Sequence, residues 1–196
     1  MINKVTLDNE EFNFNESLLP CLITGAAGSG VSYFSITMVG NLIQQGKKMI
    51  FFTAFPVARE ELYAQIGRDS TFEIKSELDI GSIPEGKSIV VKSGNIHLWQ
   101  QVIESIKNID EYIIFVKNIE EYNETVLRVV GDNKKIIMSG NIDLCSFKKN
   151  AVEREWKSKI IFTMPYVNLN IKIPKLEKFE SYIESEEYKG VLRLIK

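Results

Sequence analysis

Eight consecutive residues, Gly25-Ala26-Ala27-Gly28-Ser29-Gly30-Val31-Ser32, have the composition of a loop that cradles a phosphate. They follow the apolar run Cys21–Thr24 and open a segment with helical spacing. Small residues let backbone N–H groups curl round an anion, and a helix start adds partial positive charge. In the pattern G-x-x-x-x-G-K-S/T the lysine reaches the phosphates and the hydroxyl ligates Mg2+. Gly25, Gly30 and Ser32 hold their places, while Val31 stands where the lysine falls. The expected nucleotide-contacting loop residues are Gly25, Gly28, Ser29, Gly30, Val31 and Ser32, with the N–H groups of residues 28–32 facing one concave site. The dinucleotide fingerprint G-x-G-x-x-G fits less well, because Gly28 and Gly30 are followed by Tyr33 at the third glycine position. A tight strand-to-helix turn with no ligand is the plain alternative.

Few other residues have the type and spacing for chemistry. Two cysteines, Cys21 and Cys145, and one histidine, His97, lie far apart and outside any C-x-x-C context. That set excludes a structural zinc site and reads as free thiols in a reducing cytoplasm. His97 falls at a helix start. Lys92, before Ser93-Gly94, and Lys117, after Tyr112–Val116, each end an apolar run. Trp99 and Trp156 read as packing residues, Arg193 as a surface residue, and residues 184–187 as a solvated helix end.

The elements that would position the loop alternate between buried strands and helices. Cys21–Thr24, Met49–Thr53, Ser88–Val91, Tyr112–Val116, Lys135–Ser139 and Lys159–Thr163 are apolar without strict alternation. Such runs are buried on both faces, as in a parallel sheet covered by helices. Helical segments are expected over residues 31–45, 56–66, 98–106 and 126–130. Residues 68–86 are polar and give no clear element. Val5, Leu7, Phe12 and Phe14 alternate around an Asp8-Asn9 turn and predict an N-terminal hairpin. The run from Val167 to Ile173 alternates as a one-sided strand, Leu176–Ile183 is read as a short helix, and Val191–Ile195 is read as a last strand. An antiparallel end of the sheet at the C-terminus follows. The expected organisation is one domain: residues 1–19 the hairpin, 20–165 the core, and 166–196 the C-terminal edge.

The run Leu22–Gly30 resembles the Walker A region of RecA-like P-loop ATPases. Gly46-Lys47-Lys48-Met49-Ile50-Phe51-Phe52 is similar to their second strand, above all in the KaiC/RecA branch, and Glu60–Gly67 resembles the helix after it. The strand–helix order fits over roughly residues 18–165. Three departures matter. The Walker A lysine is replaced by Val31. The second strand runs into Ala54-Phe55-Pro56, where that branch has a catalytic glutamate, and Glu60 and Glu61 come only on the next helix. The Walker B strand ends in Lys117-Asn118 instead of a metal-holding aspartate, with Glu120 and Glu121 later.

Phosphoryl transfer relies on positioning and charge stabilisation, so losing all three leaves no catalytic residue and no metal ligand set to expect. Lys117 then has two readings: a solvated lysine at a strand end, or a cation that replaces the metal or touches a phosphate from across the site. The resemblance implies a degenerate ATPase kept as a scaffold or regulator, pairing with itself or with a paralogous ATPase. ATP is the cofactor it implies. The alternatives are a nucleotide-binding ATPase or switch with Lys117 as relocated lysine, and an accessory of a DNA-handling ATPase. The chain of 196 residues carries 24 Lys+Arg and 26 Asp+Glu, a net charge of -2, which does not favour bulk nucleic-acid binding. No apolar run is long enough to span a membrane, and a cytoplasmic location is expected.

Overall fold

The computed structural model describes residues 4–131, 133–163, 173–177 and 180–195. Its strands are β1 (Lys4–Leu7), β2 (Glu10–Glu11), β3 (Cys21–Thr24), β4 (Lys48–Phe52), β5 (Thr71–Ile74), β6 (Ser88–Val91), β7 (Tyr112–Lys117), β8 (Ile136–Gly140), β9 (Ser158–Ile161), β10 (Glu180–Ser185) and β11 (Lys189–Ile195). They form one sheet in the order β2-β1-β11-β10-β9-β3-β8-β7-β4-β6-β5. The stretch from β9 to β5 is parallel, and β2 to β9 is antiparallel. β3 lies centrally, with only β8 between it and β7.

Helices α1 (Val31–Gln44) and α2 (Pro56–Ile66) cover one face. Their apolar side chains share a core with Ile23, Phe51, Phe115 and Ile137. Helices α3 (Ile96–Ser105), α4 (Thr125–Val130) and α5 (Lys148–Glu153) cover the other, around Leu22, Phe52, Val116 and Met138. Alternate residues of one strand thus feed opposite cores, which is why these strands read as unbroken apolar runs. Each fully buried large side chain adds about 1.5–3 kcal/mol relative to exposure.

Two readings are revised, and the expected N-terminal hairpin is present. The unread segment 68–86 contains β5, a parallel edge strand whose Thr71-Phe72-Glu73-Ile74 sequence has only Thr71 and Ile74 buried. Leu176 and Glu177 carry no helix, and Glu180–Ser185 is strand β10, paired with both β9 and β11. Tyr182 and Ile183 are buried there, so pairing on two sides overrides the helix-compatible spacing. The hairpin β1–β2 joins the sheet itself, because β1 pairs with β11. Most of the expected strand 167–173 lies outside the described residues.

Candidate phosphate-binding site

The loop after β3 emerges at the carboxyl ends of the parallel strands, the edge where open α/β sheets bind ligands. Gly25 permits a close approach. A Cβ there would stand 2.5 Å from the Phe162 Cβ and 2.8 Å from the Ser29 hydroxyl. The Ala26 N–H donates to the Thr163 carbonyl at 2.9 Å and ties the loop to the exit of β9. Gly28 and Gly30 have φ of 78° and 112°, in the region that glycine adopts freely.

Ser29 is placed differently from expectation. Its N–H and its hydroxyl both donate to the Ala26 carbonyl, at 3.1 and 2.7 Å. Its N–H therefore closes the loop on itself. Gly30 is the helix cap and makes no side-chain capping bond, so the N–H groups of the first turn keep their free direction. Val31 is only 8% exposed and packs into the α1 core.

Lys117 is the last residue of β7 and is 1% exposed. It shares a face with Ile113 and Phe115, the face that α1 covers. Its Nζ donates to the Ser32 Oγ at 2.7 Å. This removes the reading of a solvated lysine. Burial pulls the ammonium down to about 8, while the carboxylates of Glu61 and Glu120 act in the opposite sense. Among the described residues no carboxylate forms an ion pair with Lys117.

A pocket of about 260 Å³ opens over this arrangement, lined among others by Gly28, Gly30, Ser32, Glu61, Asn118 and Glu120. Glu61 reaches it from α2. Glu120 comes from the turn Ile119–Glu121, entered through Asn118 at φ 59°. Its Oε2 accepts from the Asn141 N–H at 2.9 Å. Gly140 makes room for it, since a Cβ there would collide with that carboxylate and stand 2.8 Å from the Ile119 nitrogen. Thr24 Oγ1 accepts from the Ile142 N–H at 3.1 Å and fixes the turn after β8 from β3. Behind the site, the Tyr122 hydroxyl accepts from the Ala54 N–H at 3.2 Å, and Trp99 packs between Phe52 and Tyr122.

Sequence reasoning left Glu61 and Glu120 out of the site, although both were visible as acids beyond the expected positions. Gly140 after the fifth apolar run was the available signal for Glu120. The other candidates do not converge. Lys92 pairs with Glu73 at 2.5 Å, in a cluster with Tyr63. The His97 N–H donates to the Asn95 side chain at the start of α3. Arg193 pairs with Glu180 at 2.7 Å in the antiparallel end of the sheet. The Trp99 and Trp156 indoles donate to the Ser93 and Ala151 carbonyls. Both thiols are buried and pushed up to about 12 by burial. A larger cleft of about 690 Å³ lies near Pro20, Lys134 and Trp156, at the opposite ends of the strands. It lacks the loop, the helix start and the buried cation, so the smaller pocket is the better site.

The residues fit a phosphate group and do not fit a divalent metal. Mg2+ ligated by Ser32 at about 2.1 Å would sit within about 5 Å of the Lys117 ammonium. Repulsion is about 3 kcal/mol per unit charge at such range and an effective dielectric of about 20. A divalent ion beside this buried ammonium is therefore disfavoured. Among the described residues no cluster of three or more His, Cys, Asp or Glu is placed to hold a metal.

The sheet order, the flanking helices and the loop at the carboxyl edge define the α/β fold of P-loop NTPases. No protein-family model and no curated protein matches the chain. Solved structures do. The genome packaging NTPase B204 from Sulfolobus turreted icosahedral virus 2, in complex with AMP, superposes with a TM-score of 0.62 at 14% identity, covering 93% of this chain and 98% of that one. Its complex with ATP-gammaS gives 0.61 at 13% identity, covering 93% and 98%. The cytoplasmic domain of the Thermomonospora curvata Type VII secretion ATPase EccC gives 0.59 at 9% identity, covering 98% of this chain and 26% of that one. Among the described residues no helix is long and apolar enough to cross a membrane.

Proposed function

We propose that this chain is a P-loop domain with impaired catalysis that acts as a cytoplasmic scaffold or regulator in an oligomeric assembly, with copies of itself or with a paralogous ATPase. One observation carries the reading: a buried lysine, Lys117, bonds the Ser32 hydroxyl where a metal would be held. Val31 is turned into the core and supplies no charge to the loop. Structural neighbours named as a packaging NTPase and a secretion ATPase make an assembly role the natural one for this fold. Purified protein is expected to show no ATP or GTP turnover above background, and to self-associate or hold a partner in light scattering and pull-down. Turnover that disappears in a Ser32→Ala variant would overturn the catalytic part.

The same contact supports a second reading, a nucleotide-binding switch in which Lys117 serves as relocated lysine. Tight nucleotide binding coupled to a change in oligomeric state would favour it. An accessory role beside a DNA-handling ATPase is tested by a salt-dependent shift on DNA.

A further inference from the structure

The Ser32–Lys117 contact sets which ligand the loop accepts. An ammonium only donates, so at 2.7 Å it takes up a lone pair of Ser32 Oγ. The hydroxyl proton is then left to point elsewhere, and Ser32 lines the pocket. A hydroxyl polarised by a neighbouring cation is a stronger donor and a poorer metal ligand. The loop residue that ordinarily faces a metal has become a donor for an anion.

A second observation comes from below the loop. Lys117 is 1% exposed, and Ser32 is its one hydrogen-bond partner among the described residues. Ser139 is opposite Lys117 in the β7–β8 register, on the same face of the sheet. Its Oγ is buried without a hydrogen-bond partner among the described residues. A cation and a hydroxyl with unfilled bonding capacity thus lie beneath the start of α1. Glu61 and Glu120 line the same pocket and repel an anion there, so negative charge is favoured only at the loop end. The volume of about 260 Å³ is below the roughly 300–1,000 Å³ that encloses a whole drug-sized ligand.

We propose that this loop takes a metal-free phosphoryl group, held by the Ser32 hydroxyl and the N–H groups of Gly30, Val31 and Ser32, with the Lys117 ammonium in place of the divalent ion. Magnesium is then an antagonist at this site and not a cofactor. The inference rests on the reading of an altered P-loop site and names its ligand class.

Titration calorimetry on the full chain tests it, with ATP and with inorganic phosphate, each in EDTA and in excess Mg2+. At pH 7 both ligands are expected to bind in EDTA and more weakly in excess Mg2+. Binding of both ligands shows that free phosphate suffices, and binding of ATP alone assigns the site to a nucleotide's phosphoryl group. Lys117→Met should weaken binding in EDTA and abolish the metal effect, and Lys117→Asp should reverse its sign. Should Lys117→Met fail to fold, as read by emission from buried Trp99, phosphate binding by the unaltered chain in EDTA against Mg2+ still decides. Tighter binding with Mg2+ overturns the proposal, as does an unchanged metal response in Lys117→Met. No binding at millimolar ligand also overturns it, while an oligomer intact in light scattering leaves the scaffold reading standing. Mg2+-dependent turnover would remove both.

Discussion

The Lys117 Nζ and the Ser32 Oγ, 85 residues apart in sequence, meet at 2.7 Å beneath the phosphate-type loop. Burial lowers the lysine from 10.5 to about 8. Between those values the unfolded chain binds the extra proton, so stability contributed by this group rises with pH. Below about 8 both states are charged, and the folded state carries the full cost of burying the ammonium. That linkage amounts to about 3 kcal/mol. Lys117→Met is therefore expected to be at least as stable as the unaltered chain at pH 7. The difference should swing toward the unaltered chain as pH goes from 8 to 10.5. Urea titrations across that range measure it, and a pH-independent difference would refute the buried-ammonium account.

Glycines 25 and 140 make the second prediction. Each replaces a side chain that the site has no room for: at 25 against the Phe162 Cβ, and at 140 against Glu120 and the Ile119 nitrogen. Backbone and Cβ atoms cannot swing aside, so either alanine variant should lose about 1–3 kcal/mol, as overpacking does. Gly28→Ala meets nothing within 4 Å, but its φ of 78° makes it a conformational control. Denaturant midpoints unchanged in Gly25→Ala would show that the loop sits differently.

Tyr122 holds the turn after β4, since its hydroxyl accepts from the Ala54 N–H. Tyr122→Phe removes the acceptor of that part-buried bond while keeping the ring against Trp99. The expected loss is about 0.5–1.5 kcal/mol with little change in Trp99 emission. A variant as stable as the parent would mean that water takes over the bond.

How much of this was legible differs between elements. The parallel strands and the loop could be read because they are buried on both faces, and burial writes itself as apolar runs. β5 could not, because an edge strand with Glu73 exposed to a salt bridge has no such signature. The spacing over Leu176–Ile183 suits a helix, and it does not reveal that β10, which begins at Glu180, is flanked by two strands. At the site, loop residues adjacent in sequence were identified together. Glu61 and Glu120 were not, because they enter from other elements. Lys117 was ambiguous for one reason: a lysine just past an apolar run is solvated unless something covers the strand end. Here the start of α1 covers it, a tertiary fact.

The last prediction concerns the end of the sheet farthest from the edge strand β5. β1 pairs with β11 along Lys4–Leu7, and β11 pairs on its other side with β10. The hairpin therefore covers the open side of β11, while Val5 enters the α1 core at 4% exposure. Removing residues 1–11 uncovers the edge of β11 along Leu192–Ile195, an unpaired edge of the kind that templates association between chains. It also removes a buried valine, a loss of about 1.5–3 kcal/mol. The truncated chain is expected to unfold at lower urea and to scatter light increasingly with concentration, in a manner unrelated to nucleotide. The loop site lies across β10 and β9 from this edge, so its ligand response should survive while the chain is folded. Aggregation separates edge exposure from simple destabilisation. A truncated chain that is less stable but remains as dispersed as the parent would show that Val5 packing matters and edge protection does not. Equal stability and equal dispersion would show that the hairpin does not close the sheet in solution.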